Sequence, residues 1–178
     1  MEYLMTYGWA ILIIAVVLGA LFSLGVFSGG ALLGTSCVAG SGYVCQNPVM
    51  GLTGQLSFTF GQNTGSSIYD TNLACAATAN SAGLPAASGS PWVPIGTIGN
   101  SGTGNTANEL VSGQTVSVAG LTCYSGVSGN ANMLAAYGSG GSVPIGTPFS
   151  GALYVSYATT EGGPTLYAKV ATVTVKIS

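Results

Sequence analysis

The sequence predicts an α+β chain: a long N-terminal hydrophobic α-helix followed by an antiparallel β-sandwich head of immunoglobulin-like type. Three observations predict it. Residues Tyr3 to Phe27 form an uncharged, almost wholly apolar run. The remainder breaks into short segments of alternating apolar and polar residues separated by glycine-rich turns, the pattern of half-buried strands in a sandwich. All four cysteines lie beyond the apolar run. The expected organisation is therefore a hydrophobic helix over residues 1–28, a flexible hinge over 29–36 and a β-rich head domain over 37–178.

At about 1.5 Å per residue, the run from Tyr3 to Phe27 is long enough to cross a bilayer as a helix. A cleaved secretory signal fits poorly, because it needs a basic n-region and a shorter apolar core. Lys169 is the first basic residue of the chain, so neither flank of the helix carries the cations that usually orient a membrane segment. This absence predicts that a basic leader has been removed and that the helix is retained. Ala15, Gly19 and Ser23 recur every four residues, which places them on one helix face and permits close approach of another helix. Gly25 and Gly29 repeat the spacing. Glu2 places a carboxylate at the head of this apolar segment, where it needs a partner or an interfacial position.

Beyond Phe27 the sequence SGGALLGTS reads as a hinge. Strands are expected where Leu56, Phe58 and Phe60 alternate with Ser57 and Thr59, and where Val116 and Val118 flank Ser117. A third is expected where Leu153, Val155 and Tyr157 alternate with Tyr154 and Ser156. Leu166 to Ile177, rich in valine and threonine, is the clearest strand, and Glu161-Gly162-Gly163-Pro164 joins it to its predecessor as a hairpin. Val93-Pro94-Ile95-Gly96-Thr97 recurs as Val143-Pro144-Ile145-Gly146-Thr147, each copy following a cysteine in a similar context, Cys75 or Cys123. The echo suggests an old duplication of two sheet halves, though Pro-x-Gly is also a common turn signal.

Four cysteines in a chain with a membrane-targeting start read as two disulfides in an oxidising compartment, and three connectivities are open. The favoured one pairs Cys37 with Cys45, closing a short loop at the neck, and Cys75 with Cys123, tying the two halves together. No C-x-x-C pair and no histidine are present, so neither a zinc site nor c-type haem attachment is expected. Asp70, Glu109 and Glu161 are scattered singly, and no clustered calcium site is legible. The tracts Gly99 to Gly104 and Gly138 to Gly141 lack the lysine and spacing of a phosphate loop and read as plain loops. No cofactor is expected.

Charge excludes two large function classes. Only 3% of the residues are charged, two of them lysines, and histidine is absent. A basic footprint for nucleic acid cannot be assembled from this set, and no convergent acid, base or nucleophile suggests an enzyme. No Asn-x-Ser/Thr acceptor occurs, while abundant serine and threonine leave O-linked glycans open. So few ionisable groups also fit an acidic habitat, because acid denaturation acts mainly through ionised groups paired in the folded state.

The opening Met1-Glu2-Tyr3-Leu4-Met5-Thr6-Tyr7-Gly8-Trp9-Ala10-Ile11-Leu12 resembles the start of archaeal type IV pilin-like proteins, the class III signal peptide family of archaeal pilus and archaellum subunits. The resemblance covers about the first 28 residues. It implies leader removal by a prepilin-type peptidase and storage in the cell membrane. Extraction by an assembly ATPase and a membrane platform would then build an extracellular helical homopolymer with a core of these helices. Glu2 would neutralise the N-terminal amine of a neighbouring subunit, and Ala15, Gly19, Ser23 and Gly25 would line the core contacts. The expected function is thus a structural subunit of a cell-surface filament, an adhesive pilus. Archaellin of a motility filament and a single-pass, membrane-anchored binding module using Trp92, Tyr124 and Tyr154 are the alternatives.

Overall fold

A computed structural model of the chain describes residues 2–23, 34–79, 83–85, 90–100, 108–124 and 143–178, with the backbone alone described at 2–6 and 98–100. The chain divides into two compact units between Leu33 and Gly34. The first contains helix α1, Glu2–Ser23. Leucine, alanine and methionine favour the helix, while Gly8 and Gly19 each weaken it by about 1 kcal/mol relative to alanine. The expected long helix over residues 1–28 is therefore corrected to this shorter element. Its side chains are described over the 17 residues from Tyr7, and among the described residues no helix is long and apolar enough to cross a membrane. Residues 24–28 of the expected helix lie outside the described residues. The expected hinge lies largely outside the described residues.

The second unit contains β1 (Ser36–Ala39), β2 (Tyr43–Met50), β3 (Gln55–Gln62), β4 (Tyr69–Ala76), β5 (Val93–Pro94) and the single turn α2 (Ile95–Ile98). It continues with β6 (Gly99–Asn100), β7 (Thr115–Tyr124), β8 (Pro148–Ala158) and β9 (Leu166–Lys176). These strands form one sheet in the order β1-β9-β8-β4-β7-β3-β2, with β5 added to β4 and β6 to β7.

The expected immunoglobulin-like sandwich of two antiparallel sheets is thereby overturned. The two antiparallel arms, β1-β9-β8-β4 and β7-β3-β2, are continuous through a parallel pairing of β4 with β7. Cys75 stands opposite Cys123, and Ala76 opposite Tyr124. A parallel pair needs a long crossover, and the chain between β4 and β7, which contains β5, α2 and β6, provides it. Alternation within a strand says which side is buried but not which strand lies beside it, so the sequence pattern could not separate the two architectures.

The sheet curls until its edges nearly meet, giving a barrel-like wall. Strand β2 returns against β1 and β9. Met50 makes a parallel bridge to Ile177, and the Ser178 N–H donates to the Met50 carbonyl at 3.1 Å. The Cys37–Cys45 disulfide joins the two edge strands directly. Within β2 a bulge between Gln46 and Val49 contains Asn47 at φ 51° and Pro48, a combination that bends an edge and removes a donor to any further strand. A second bulge, opposite Leu56–Phe58, places Gly120 of β7 at φ 79°, where a side chain would be strained.

Inside the wall lie Met50, Leu56, Phe60, Leu73, Leu121, Leu153, Val155 and Val173, all essentially inaccessible. Alternation holds in β3 and β7, where Leu56, Phe58, Phe60, Val116 and Val118 are buried as expected. It fails in β8. Tyr154 and Ser156, expected on the solvent side, are also buried, because β8 is central and both of its faces are covered. The β8–β9 hairpin forms across Glu161–Pro164. At the end of β3, beside the start of β7, Gln62 is buried and satisfied on every side. Its amide nitrogen donates to the carbonyls of Ser66 and Leu110, and its side-chain oxygen accepts from the Thr64 hydroxyl at 2.6 Å.

Both disulfides follow the favoured connectivity, Cys37–Cys45 and Cys75–Cys123. They close loops of sequence separation 8 and 48, so loop-closure entropy assigns them about 2.5 and 4 kcal/mol respectively. Chemical denaturation of the two double-serine variants should show this order, with Cys75→Ser/Cys123→Ser losing more stability than Cys37→Ser/Cys45→Ser. Equal losses, or the reverse order, would show that closure of the sheet edges outweighs the crossover.

Candidate assembly surface

Among its described side chains, helix α1 has no polar face. Trp9, Ile11, Leu12, Ile14, Val16, Val17 and Phe22 point in different directions around its axis, and all are exposed, Trp9 at 69%. A helix that is apolar on every side belongs inside a larger apolar environment, either lipid or other helices. Ala15, Gly19 and Ser23 are exposed on their common face, and a Cβ at Gly19 would meet nothing within 4 Å. Glu2 lies within α1, but its side chain is outside the described residues, as is Gly25.

The head carries a different kind of surface. On the outer face of the sheet, β4 presents Ala74 and Ala76, and the register aligns Ala74 with Tyr154 of β8, which in turn faces Lys169 of β9. The next row aligns Asn72, Ser156 and Tyr167. The small alanines leave room above the sheet, and a second apolar cluster fills it: Ala74, Ala76, Ala152 and Tyr154, with Trp92 and Tyr124 packed against them. Trp92 meets the ring of Tyr167 at 5.3 Å, and Tyr167 remains 51% exposed. A bulge between Leu153 and Tyr154 resets β9 so that Lys169 and Tyr167 face outward while Ala171, Val173 and Val175 face the core.

Of the aromatic residues named from sequence as contacts, Trp92, Tyr124 and Tyr154 come together, and they are mostly covered. Tyr167 is the exposed member of this group. The sequence placed it in a strand, but only the register to Ser156 assigns it to this face. The echoed pentapeptides are not equivalent in the fold. Val93-Pro94 is strand β5 and Ile95 is 5% exposed, whereas Ile145 lies in a turn and is 77% exposed. Their preceding cysteines do lie side by side, in parallel register.

Asp70, Glu109 and Glu161 do not converge, and no group of three or more His, Cys, Asp or Glu side chains suited to a metal ion occurs among the described residues. The first glycine tract begins as strand β6, with Gly99 opposite Val118; its remainder and Gly138 to Gly141 lie outside the described residues. Two tyrosines have raised pKa values. Burial, then the neighbouring Tyr157 and a hydrogen bond with its side chain, push Tyr43 up to about 12. Burial also raises Tyr154.

The chain matches no protein-family model, and no curated protein matches it at a significant level.

These groups set an asymmetric pH response. Only four acidic side chains are present, so the melting temperature should differ by less than about 5 °C between pH 2 and pH 7. At the alkaline end the sign is fixed by the raised tyrosines. An unfolded tyrosine ionises near 10, the folded chain holds the Tyr43 proton up to about 12, and the stabilisation is complete below pH 10 and lost as pH rises through 12. Thermal melts of the native chain should fall over that interval, and Tyr43→Phe should flatten part of the fall. A steep loss below pH 4 would contradict the first expectation.

Proposed function

We propose that this chain is a structural subunit of an archaeal type IV-like extracellular surface filament, an adhesive pilus that polymerises through its N-terminal helix. The observation that carries the reading is the all-round apolar character of α1, whose described side chains are nearly all exposed in the single chain. Ten large apolar side chains between Tyr7 and Phe22 lie open, and burying each contributes about 1.5–3 kcal/mol. A gain of that size drives helices together once they leave lipid. Two disulfides in the head are in keeping with an extracellular setting. Storage in the cell membrane, processing by a prepilin-type peptidase and export by an ATPase and platform rest on the resemblance of the first residues.

In the assembled filament the helices form the core and the β heads the outer sheath. Ala15, Gly19 and Ser23 let neighbouring helices approach closely, and Glu2 neutralises a neighbouring N-terminal amine. A formal net charge of −2 lets many copies stack with little repulsion. Cryo-electron microscopy of material sheared from producing cells, with mass spectrometry of the mature N-terminus, tests the reading. Helical filaments with α1 at their centre are the expected result; protein found as single copies in the membrane fraction alone would refute it.

Gly19→Leu separates assembly from folding. The added side chain has free space around Gly19 and raises helix propensity by up to about 1 kcal/mol. Circular dichroism and head melting should therefore stay unchanged, while filament yield falls at least about tenfold. Filaments of native yield and helical parameters in this variant would remove Gly19 from the core contacts.

A further inference from the structure

We infer that the outer face of β8 and β9 carries a binding cleft for a neutral sugar, with Tyr167 as its aromatic platform. An open cleft of about 330 Å³ is lined by Gly83 and Leu84 on one side and by Tyr154, Thr165, Tyr167 and Lys169 on the other. That volume lies at the lower end of the range of small-ligand sites, about 300–1,000 Å³. Leu166 and Ala168 complete the lining, which thus combines two tyrosines, a threonine hydroxyl and a single cation with the aliphatic Leu84, Leu166 and Ala168.

This combination matches one chemistry closely. A pyranose presents a face of C–H groups, which packs on the electron-rich face of an aromatic ring, and a rim of hydroxyls, which need donors and acceptors. Tyr167 supplies an exposed ring, held from the side by Trp92 at 5.3 Å. The hydroxyl of Thr165 and the ammonium of Lys169 supply the polar partners. Tyr154, in the wall of the cleft, packs with Ala74, Ala76 and Ala152. An anionic ligand is disfavoured by chemistry, because tight anion recognition uses several charge-assisted donors and the cleft has one lysine. An aliphatic ligand would leave these polar groups without partners on desolvation.

The inference does not depend on the filament reading, since a monomeric chain presents the same cleft. Its test uses the full chain in a zwitterionic, sugar-free detergent. The chain has two tryptophans, so Trp9→Phe leaves Trp92, beside Tyr167, as the only one. Its emission is followed during titration with cellohexaose, maltohexaose and N-acetylchitohexaose. A saturable change with at least one of the three is expected, weakened about tenfold by Tyr167→Ala and retained by Tyr167→Phe. Saturation-transfer NMR on the unsubstituted chain should show the sugar C–H protons receiving magnetisation from aromatic protons, an outcome that does not require any variant to fold. Failure of all three sugars to change the emission or to receive saturation at about 20 mM would overturn the inference. So would a response undiminished in a folded Tyr167→Ala chain, or one that follows protein concentration without sugar and marks this face as a contact between copies.

Discussion

The Cys75–Cys123 disulfide holds the point on which the head is organised. It bonds β4 to β7 where two antiparallel arms run side by side in parallel, with a Cα separation of 4.6 Å and both cysteines fully buried. Parallel pairing is slightly weaker per residue than antiparallel, and it closes a long crossover whose ordering is entropically unfavourable. Here the ladder is only two residue pairs long. A covalent link at that junction removes much of the closure entropy from the unfolded chain, and the arms can then complete themselves through local hairpins. The Cys37–Cys45 bond performs the corresponding task at the opposite side of the wall, where β1 and β2 meet.

Covalent linkage suits this composition. A chain with 29 glycines loses much backbone freedom on folding, and with six charged side chains of Lys, Arg, Asp and Glu type it has little scope for ion-pair networks. Stability must come from apolar burial, backbone hydrogen bonds, neutral polar networks such as that around Gln62, and the two disulfides. None of these depends strongly on ionisation in acid. The same scarcity of charge leaves a surface of hydroxyls, glycines and a few aromatic rings, compatible with dense packing of copies and with neutral ligands.

The two units handle apolar surface in opposite ways. The head encloses its large aliphatic side chains within one curled sheet and places a smaller aromatic cluster outside it. Helix α1 exposes nearly all of its described apolar side chains. A helix apolar on every side is suited to an apolar environment.

Much of this was legible in the residues one strand at a time. Period-two alternation located β3 and β7, valine and threonine marked β9, and Glu161-Gly162-Gly163-Pro164 marked its hairpin. Those signals are local, because side-chain direction along a strand follows from backbone geometry. An even set of cysteines, the apolar run and the absence of histidine were likewise fixed by composition. What the fold alone decided is non-local: the parallel junction that makes one sheet of two, the covering of both faces of β8 that buries Tyr154 and Ser156, and the different fates of Ile95 and Ile145. The candidate cleft belongs to this second class. Tyr167 joins Tyr154 and Trp92 through cross-strand register, a bulge in β9 and the small size of two alanines on β4, and partners chosen across strands leave no period in the chain that contributes them.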